Sequence, residues 1–243
     1  MTAPGKLYGV GVGPGDPELM TLKAARILGA VPVLAHFRKR GRFGHARATV
    51  EGFQQVGCLE LALDYPLTTE VPFEDAGYRS ALTEFYDATA RALASHLQAG
   101  RDVALVCEGD PFFYGSFMHV YHRLNGQHSV EVVPGITGMS ASWTGAGTPI
   151  TYGDDVLMVL PGTLPFAVLI ERMRTADALV VMKLGSNFGK VRRALAEAGL
   201  AKRAIYVEHG SMAGENIVPL DQKHGNEAPY FSMILVPGRG RCL

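Results

Sequence analysis

One short stretch near the middle of the chain constrains the fold most, because an apolar strand ends there against two acidic residues. Residues 103–106 are Val-Ala-Leu-Val, and such a run predicts a strand buried on both faces of a sheet. Glu108, Gly109 and Asp110 follow, and then Pro111. Asp110 is typical of a helix N-cap and Pro111 of the first helical position. Open α/β sheets bind ligands at the carboxyl ends of their strands, so this turn predicts either a binding site or an ordinary capped turn.

Two other predicted strands also end in glycine-rich loops. Gly13-Pro14-Gly15-Asp16 follows the first strand of the chain, and Pro134-Gly135-Ile136-Thr137-Gly138 follows a strand predicted at 129–133. Asp16 is expected to be the N-cap of a helix that begins at Pro17. Three loops of this kind favour a ligand site over three unrelated turns.

A dinucleotide or nucleotide ligand is disfavoured by the first of these loops. Pro14 removes a backbone N–H that a phosphate would use, and Asp16 puts a negative charge where the phosphate would sit. The second predicted strand, residues 31–37, ends without the acidic residue that would hold a ribose. The chain also has no Gly-Lys-Ser/Thr motif for a nucleoside triphosphate.

Charge and composition indicate a globular protein with a small-molecule partner. The 243 residues are 47% hydrophobic, enough for a sizeable core in one or two domains. Lysine plus arginine and aspartate plus glutamate both number 23, so we expect neither nucleic acid nor membrane as a partner. Cys58, Cys107 and Cys242 form no pairing pattern, which predicts free thiols and a cytoplasmic location.

A basic segment and a histidine pair each allow two interpretations. Residues 38–47 concentrate arginine and lysine between glycines and Phe43, which suits either a solvated loop or a flap that grips a flat ligand with several carboxylates. His119 and His122 share one face of a predicted helix and could in principle bind a metal. No third ligand is apparent, so we expect no metal site.

The proline, glycine and acidic residues of 148–155 predict a domain boundary. We therefore predict an N-terminal α/β domain at 1–150 and a C-terminal α/β domain at 151–243. Strands predicted at 156–160, 178–184, 203–207 and 230–236 indicate that the second domain relies more on antiparallel pairing than the first.

With these motifs in view, the chain resembles the tetrapyrrole methylase family over essentially its whole length. The resemblance rests on four marks in the right order, which are Gly11-Val12-Gly13-Pro14-Gly15-Asp16-Pro17, Gly109-Asp110-Pro111, Val133-Pro134-Gly135-Ile136-Thr137 and Val181-Met182-Lys183. It implies a two-domain α/β fold of the class III methyltransferase type, with a mostly parallel N-terminal sheet and a mixed C-terminal sheet. It also implies S-adenosylmethionine as the cofactor and S-adenosylhomocysteine as its product. This cofactor is a cation without phosphate, which suits the acidic loops.

Matching the family's motifs position by position implies a set of binding residues. From the three loops the cofactor-binding residues are Pro14, Glu108, Gly109, Asp110, Phe113, Tyr114, Thr137 and Gly138. From the C-terminal domain they are Met182 or Lys183, Gly210, and Ser232 or Met233. Because the family's substrates carry several carboxylates, Arg38, Arg40 and Arg42 become candidate substrate-binding residues. In-line methyl transfer mainly requires alignment, and no base is identified.

Glu108 stands where many members of the family have glycine. The run Glu-Gly-Asp-Pro-Phe-Phe-Tyr-Gly, with Met182-Lys183-Leu184, resembles the branch that methylates C20 of precorrin-2 to precorrin-3A in cobalamin biosynthesis. Other tetrapyrroles, namely cobalt-factor II or uroporphyrinogen III, are the alternatives within the family, and a nucleotide-binding sensor module is the alternative outside it. The resemblance also implies a homodimer.

Overall fold

The computed structural model describes residues 3–66 and 76–240, and the chain divides into two compact units, residues 1–137 and 138–243. The contacts thus separate before the predicted boundary at residue 150, because the helix that follows Thr137 packs with the second unit. That the two functional domains divide at residue 150 stays a prediction. Each unit has an α/β architecture of its own.

The first unit is built on a five-stranded parallel sheet with the strand order β3-β2-β4-β1-β5. Its strands are β1 (Lys6–Gly11), β2 (Val33–Lys39), β3 (Leu59–Tyr65), β4 (Val103–Cys107) and β5 (Ser129–Val133). Its helices are α1 (Leu22–Leu28), α2 (His45–Thr49), α3 (Ala76–Gln98) and α4 (Phe117–Leu124), with a 3-10 turn at Pro17–Leu19. The predicted parallel sheet with flanking helices is confirmed.

Strand β4 lies at the centre of this sheet and is buried on both faces. Val103 and Leu105 pack toward α3 and α4, whereas Ala104 and Val106 pack toward α1 and α2. Successive side chains of a strand point to opposite faces, so an all-apolar strand is the one that needs helices on both sides. Cys107, the last residue of β4, is a buried free thiol. Cys58 is also a free thiol, and Cys242 lies outside the described residues.

Side-chain caps are present at the first two helical segments of the chain. Asp16 accepts a hydrogen bond from the Glu18 backbone N–H at 2.9 Å, as expected of an N-cap, but it caps only the short 3-10 turn. Thr21 caps α1 by accepting from Ala24 N–H at 3.1 Å. The prediction that a helix begins at Pro111 is wrong. Residues 111–114 form a turn, and α4 begins at Phe117.

The second unit has a mixed five-stranded sheet with the order β6-β7-β10-β8-β9. Its strands are β6 (Leu157–Pro161), β7 (Ala178–Met182), β8 (Ile205–Glu208), β9 (Asn216–Pro219) and β10 (Ser232–Val236), and its helices are α5 (Gly138–Gly145), α6 (Phe166–Thr175) and α7 (Phe188–Glu197). Short 3-10 turns lie at Gly185–Asn187, Ala201–Arg203 and Leu220–Gln222. Only β6 and β7 pair in parallel, and β10 runs antiparallel to both β7 and β8. The predicted mixed sheet is confirmed.

Helices α6 and α7 cover one face of the second sheet, and α5 packs against the other. The sequence analysis assigned no helix at α6, yet a signal was present. Leu169, Ile170 and Met173 recur at helical spacing, and all three are buried in the core beside α7.

Candidate functional site

The loops that follow β1, β4 and β5 meet at one edge of the first sheet, because these three strands are adjacent and parallel. Gly13 and Gly109 form an isolated antiparallel bridge, in which Gly109 N–H donates to the Gly13 carbonyl at 2.7 Å. Val12 N–H donates to the Cys107 carbonyl at 3.0 Å. The first and second loops are therefore joined through backbone hydrogen bonds, as expected from their shared position at the strand ends.

Glycine is required where the three loops touch. A Cβ atom at Gly135 would lie 2.0 Å from the Gly109 carbonyl oxygen, and one at Gly11 would lie 2.6 Å from the same oxygen. Gly109 itself has φ of 63°, a conformation that costs glycine little. Bare backbone thus lies at the junction of all three loops.

Asp110 links the second loop to the third. One carboxyl oxygen accepts from Phe112 N–H at 2.9 Å, and the other accepts from Gly135 N–H at 3.1 Å. The cap predicted for Asp110 is present, although it stabilises a turn. Its predicted contact with a cofactor stays a prediction, and so do those of Pro14 in the first loop and Thr137 in the third.

Glu108 differs from both of its neighbours in exposure. Cys107 and Gly109 are buried, whereas Glu108 is exposed. Desolvation by the surrounding protein raises the pKa of its carboxyl to about 7, and a hydrogen bond from the Ala46 backbone N–H acts weakly in the opposite direction. Protein atoms that replace water around a carboxyl group disfavour its charged form, even where part of the residue stays accessible.

The turn after Asp110 carries the aromatic residues of the predicted site. The rings of Phe113 and Tyr114 meet edge to face with centroids 5.0 Å apart. Tyr114 has φ of 55°, an uncommon value for a residue with a side chain. Strained backbone of this kind clusters at functional sites and persists only where the surrounding structure enforces it.

The basic segment, residues 38–47, lies partly in a strand and partly in a helix, whereas the sequence analysis treated it as a loop or a flap. Strand β2 continues to Lys39 and α2 begins at His45, so only 40–44 connect them. Arg38 donates from Nε to Asp64 at 2.6 Å. Arg40 and Arg42 are exposed, and neither forms an ion pair with any residue that the structure describes. Those two arginines are the cations of the segment that remain available to a ligand.

A buried polar cluster beneath this segment was missed by the sequence analysis. Arg47 Nε and His36 Nε2 contact the two carboxyl oxygens of Glu60 at 3.0 and 2.9 Å. Arg47 and His36 are 9% and 1% exposed, so Arg47 belongs to the core of the unit and not to a solvated loop. No spacing in the sequence relates these three residues, since they come from different elements.

The candidate residues of the second unit cluster around the ends of β7, β8 and β10. Lys183 has φ of 56°, and the residues on either side of Gly210, which are His209 and Ser211, have φ of 51° and 63°. A Cβ atom at Gly210 would lie 2.9 Å from Ser142 Oγ in α5. Strain at three positions in two loops marks this region as a candidate site.

Gly138 and Met233 meet where α5 packs against β10, whereas the side chain of Ser232, one residue earlier on the strand, points to the opposite face of the sheet. A Cβ atom at Gly138 would contact Met233 Cε at 3.5 Å. Ser232 is buried, and its hydroxyl donates to the Pro229 carbonyl at 2.6 Å. Met182 lies at the end of β7, where its carbonyl accepts from Gly162 N–H at 2.6 Å. The roles of all these residues in cofactor binding stay predictions.

His119 stacks on the Tyr86 ring with centroids 4.5 Å apart. The described residues include no group of three or more His, Cys, Asp or Glu side chains placed to hold a metal ion. Along residues 3–66 and 76–240, no helix is both long and apolar enough to cross a membrane.

Comparison with known proteins shows which family and which individual proteins this chain is similar to. The model of the family described as Tetrapyrrole (Corrin/Porphyrin) Methylases matches residues 6–223. A precorrin-2 C(20)-methyltransferase from Sinorhizobium sp. is 53% identical over 234 residues, which are 96% of each chain. A cobalt-precorrin-2 C(20)-methyltransferase from Salmonella typhimurium is 28% identical, again over 96% of each chain.

Two solved structures share the fold over nearly the whole length. A cobalt precorrin-4 methyltransferase superimposes with a TM-score of 0.72 at 22% identity and covers 96% of this chain and 94% of its own. A uroporphyrin-III C-methyl transferase from Thermus thermophilus, in complex with S-adenosylhomocysteine, has a TM-score of 0.65 at 25% identity and covers 95% and 97%.

Proposed function

The chain belongs to the tetrapyrrole methylase family, and we propose that it transfers a methyl group from S-adenosylmethionine to C20 of precorrin-2, which gives precorrin-3A. The observation that carries the proposal is the 53% identity, over 96% of both chains, to the precorrin-2 C(20)-methyltransferase of Sinorhizobium sp.. Identity to the cobalt-precorrin-2 enzyme of Salmonella typhimurium is 28%, which favours the metal-free substrate.

The residues of the first unit suit S-adenosylmethionine better than a nucleotide. Glu108 is an exposed carboxyl without an ion-pair partner among the described residues, and a sulfonium or ammonium group would supply one. Asp16 caps the helical turn that a phosphate would otherwise approach. When bound, the cofactor supplies an electrophilic methyl group. Glu108, Gly109, Asp110, Phe113 and Tyr114 would hold it from the second loop.

Alignment is the main contribution expected of the chain itself. A displacement at carbon gains most when the two reacting atoms are held in line, and no nucleophilic side chain is required. The backbone junction at Gly11, Gly109 and Gly135 suits this role, because contacts between backbone atoms leave little freedom to the loops. In the second unit, the residues proposed as cofactor-binding are Gly138, Met182, Lys183, Gly210, Ser232 and Met233.

We further propose that Arg40 and Arg42 bind carboxylates of the tetrapyrrole, and that Arg38 contributes while it remains paired with Asp64. Charge-assisted contacts to carboxylates are what arginine forms best. Family resemblance also supports a cytoplasmic homodimer. Light scattering would measure the mass of that dimer directly.

The deciding experiment supplies methyl-labelled S-adenosylmethionine together with precorrin-2, its cobalt-containing counterpart or uroporphyrinogen III. We expect label to enter precorrin-2 with the highest kcat/KM, and carbon NMR of the product to place the methyl group at C20. Methylation of uroporphyrinogen III in preference to precorrin-2 would instead indicate that the chain belongs to a different branch of the family. Release of labelled methyl without any acceptor would contradict the proposal altogether.

A further inference from the structure

Glu108 occupies an unusual position for an acidic residue. It follows directly after β4, the central strand of the first sheet, and it is exposed while Cys107 and Gly109 are buried. Among the residues that the structure describes, it forms no ion pair. An acid that neither supports the core nor pairs with a cation is available to a ligand.

Three basic groups on the neighbouring elements pair with other carboxylates. On α2, Arg47 binds Glu60. On β2, His36 also binds Glu60, and Arg38 binds Asp64. Among the residues that the structure describes, none of these three basic groups pairs with Glu108.

The other acidic residue of the loop, Asp110, is held by backbone amides. The carboxyl oxygens of Asp110 accept from the amides of Phe112 and Gly135. The buried Cys107 thiol has its pKa raised by desolvation first, and then by Glu108 and Asp110. A single polar contact, from the Ala46 backbone N–H, opposes the desolvation of Glu108.

From this arrangement we propose that Glu108 is the catalytic base that takes the proton from C20 of the tetrapyrrole, an inference that rests on the proposed function. The methyl carbon exchanges its bond to sulfur for a bond to C20, and the sulfur keeps the electron pair of the broken bond. C20 then carries both a methyl group and a hydrogen. The Glu108 carboxylate accepts that hydrogen as a proton, and the C–H electron pair returns to the conjugated system of the macrocycle.

The properties of Glu108 suit this step. A base works best when its pKa lies near the working pH, and desolvation sets the pKa of Glu108 at about 7. The Ala46 N–H engages the carboxyl group, which limits its rotation and leaves accepting positions for the proton.

The test compares the wild type with Glu108→Gln, Glu108→Asp and the control Glu51→Gln, an exposed carboxyl of the same unit. Glutamine keeps the shape and can accept from Ala46 N–H but cannot take up the proton. Because general bases contribute roughly 10²- to 10⁴-fold, Glu108→Gln should lower kcat at least about 100-fold. Its affinity for S-adenosylhomocysteine, measured by calorimetry, should fall much less than kcat, because a lost cofactor contact weakens binding whereas a lost base slows only the chemical step.

Three further readouts identify the role. Wild-type kcat/KM should rise with pH through about 7, since this parameter reports the ionisation of the free enzyme, and Glu108→Gln should lose that limb. In single turnover, Glu108→Gln should accumulate a methylated species whose conjugation is interrupted at C20, visible as absorbance at shorter wavelength. Glu108→Asp, which keeps a carboxylate, should restore part of kcat and provides the test if the glutamine variant does not fold.

Stability of the free enzyme gives a readout independent of activity. The folded-state pKa of Glu108 is raised, so the native protein binds more protons than the unfolded chain between about pH 4.5 and 7, and its stability falls across that window as pH rises. Glu108→Gln should therefore gain stability relative to the wild type as pH rises, and the difference should level off above pH 7. Glu51→Gln is the control for the loss of one carboxyl group.

Wild-type kcat and pH profile in Glu108→Gln would overturn the proposal. A loss of activity matched by an equal loss of S-adenosylhomocysteine affinity would also overturn it, because Glu108 would then be only a cofactor ligand. Failure of the wild type to methylate precorrin-2 is a separate result that would contradict the proposed function itself.

Discussion

Gly135 has no room for a side chain, because a Cβ atom there would lie 2.0 Å from the Gly109 carbonyl oxygen, a backbone atom that cannot move without shifting its loop. Gly135→Ala should therefore lower the free energy of unfolding by about 1–3 kcal/mol, as overpacking does, and should weaken S-adenosylhomocysteine binding. Urea denaturation and calorimetry would measure the two effects. Gly29→Ala is the matched control, since its Cβ atom would meet nothing nearer than 3.6 Å and its φ is −72°. Equal stability of the two variants would contradict the close packing of the loops.

At the scale of elements, the connection between β2 and α2 presents Arg40 and Arg42 from a rigid frame, since Arg38 and Arg47 anchor its two ends to Asp64 and Glu60. Replacing both exposed arginines with glutamine should raise KM for the tetrapyrrole and leave S-adenosylhomocysteine affinity unchanged. The free energy of substrate binding should weaken by about 0–1 kcal/mol per lost contact if the ion pairs stay exposed. It should weaken by about 1.5–3 kcal/mol per contact if the substrate shields them from water.

Steady-state kinetics at two salt concentrations would measure this effect, because exposed pairs are screened over about 10 Å at 0.1 M ionic strength. The double variant Arg172→Gln, Arg174→Gln removes the same charge from the exposed side of α6 and should keep wild-type KM. Unchanged KM and salt response in the Arg40→Gln, Arg42→Gln variant would mean that this connection is an ordinary solvated turn without a role in substrate binding.

At the scale of the whole molecule, cofactor binding should stabilise the chain by mass action. S-adenosylhomocysteine at 100 times its Kd should add about 2.7 kcal/mol, and for chains of about 150–250 residues each kcal/mol raises Tm by roughly 2–4 °C. Calorimetric melting should thus show a rise of several degrees with S-adenosylhomocysteine and none with NAD or ATP. Stabilisation by NAD or ATP, without any from S-adenosylhomocysteine, would favour the nucleotide-binding alternative.

Local patterns in the sequence were enough to predict the architecture and the edge of the sheet at which the first group of candidate residues lies. The all-apolar run of β4 predicted burial on both faces, and α1, α2, α3 and α4 do cover both faces of its sheet. The turn at Gly109 and the caps at Asp16 and Asp110 were likewise predictable, since they depend on residues close together in the chain. Such features are determined by backbone sterics and by the alternation of side chains along a strand.

Only the tertiary structure decided which polar groups meet across elements. Nothing in the sequence relates Arg47 to Glu60, Asp110 to the Gly135 amide, or Glu108 to the Ala46 amide. The sequence determined that two acids follow the central strand, but burial and hydrogen bonding gave them different properties. Asp110 is held by two backbone amides, while Glu108 lies where desolvation raises its pKa to about 7. The physical reason is that the hydration and pairing of a charge depend on every atom around it, and folding brings those atoms from distant parts of the chain.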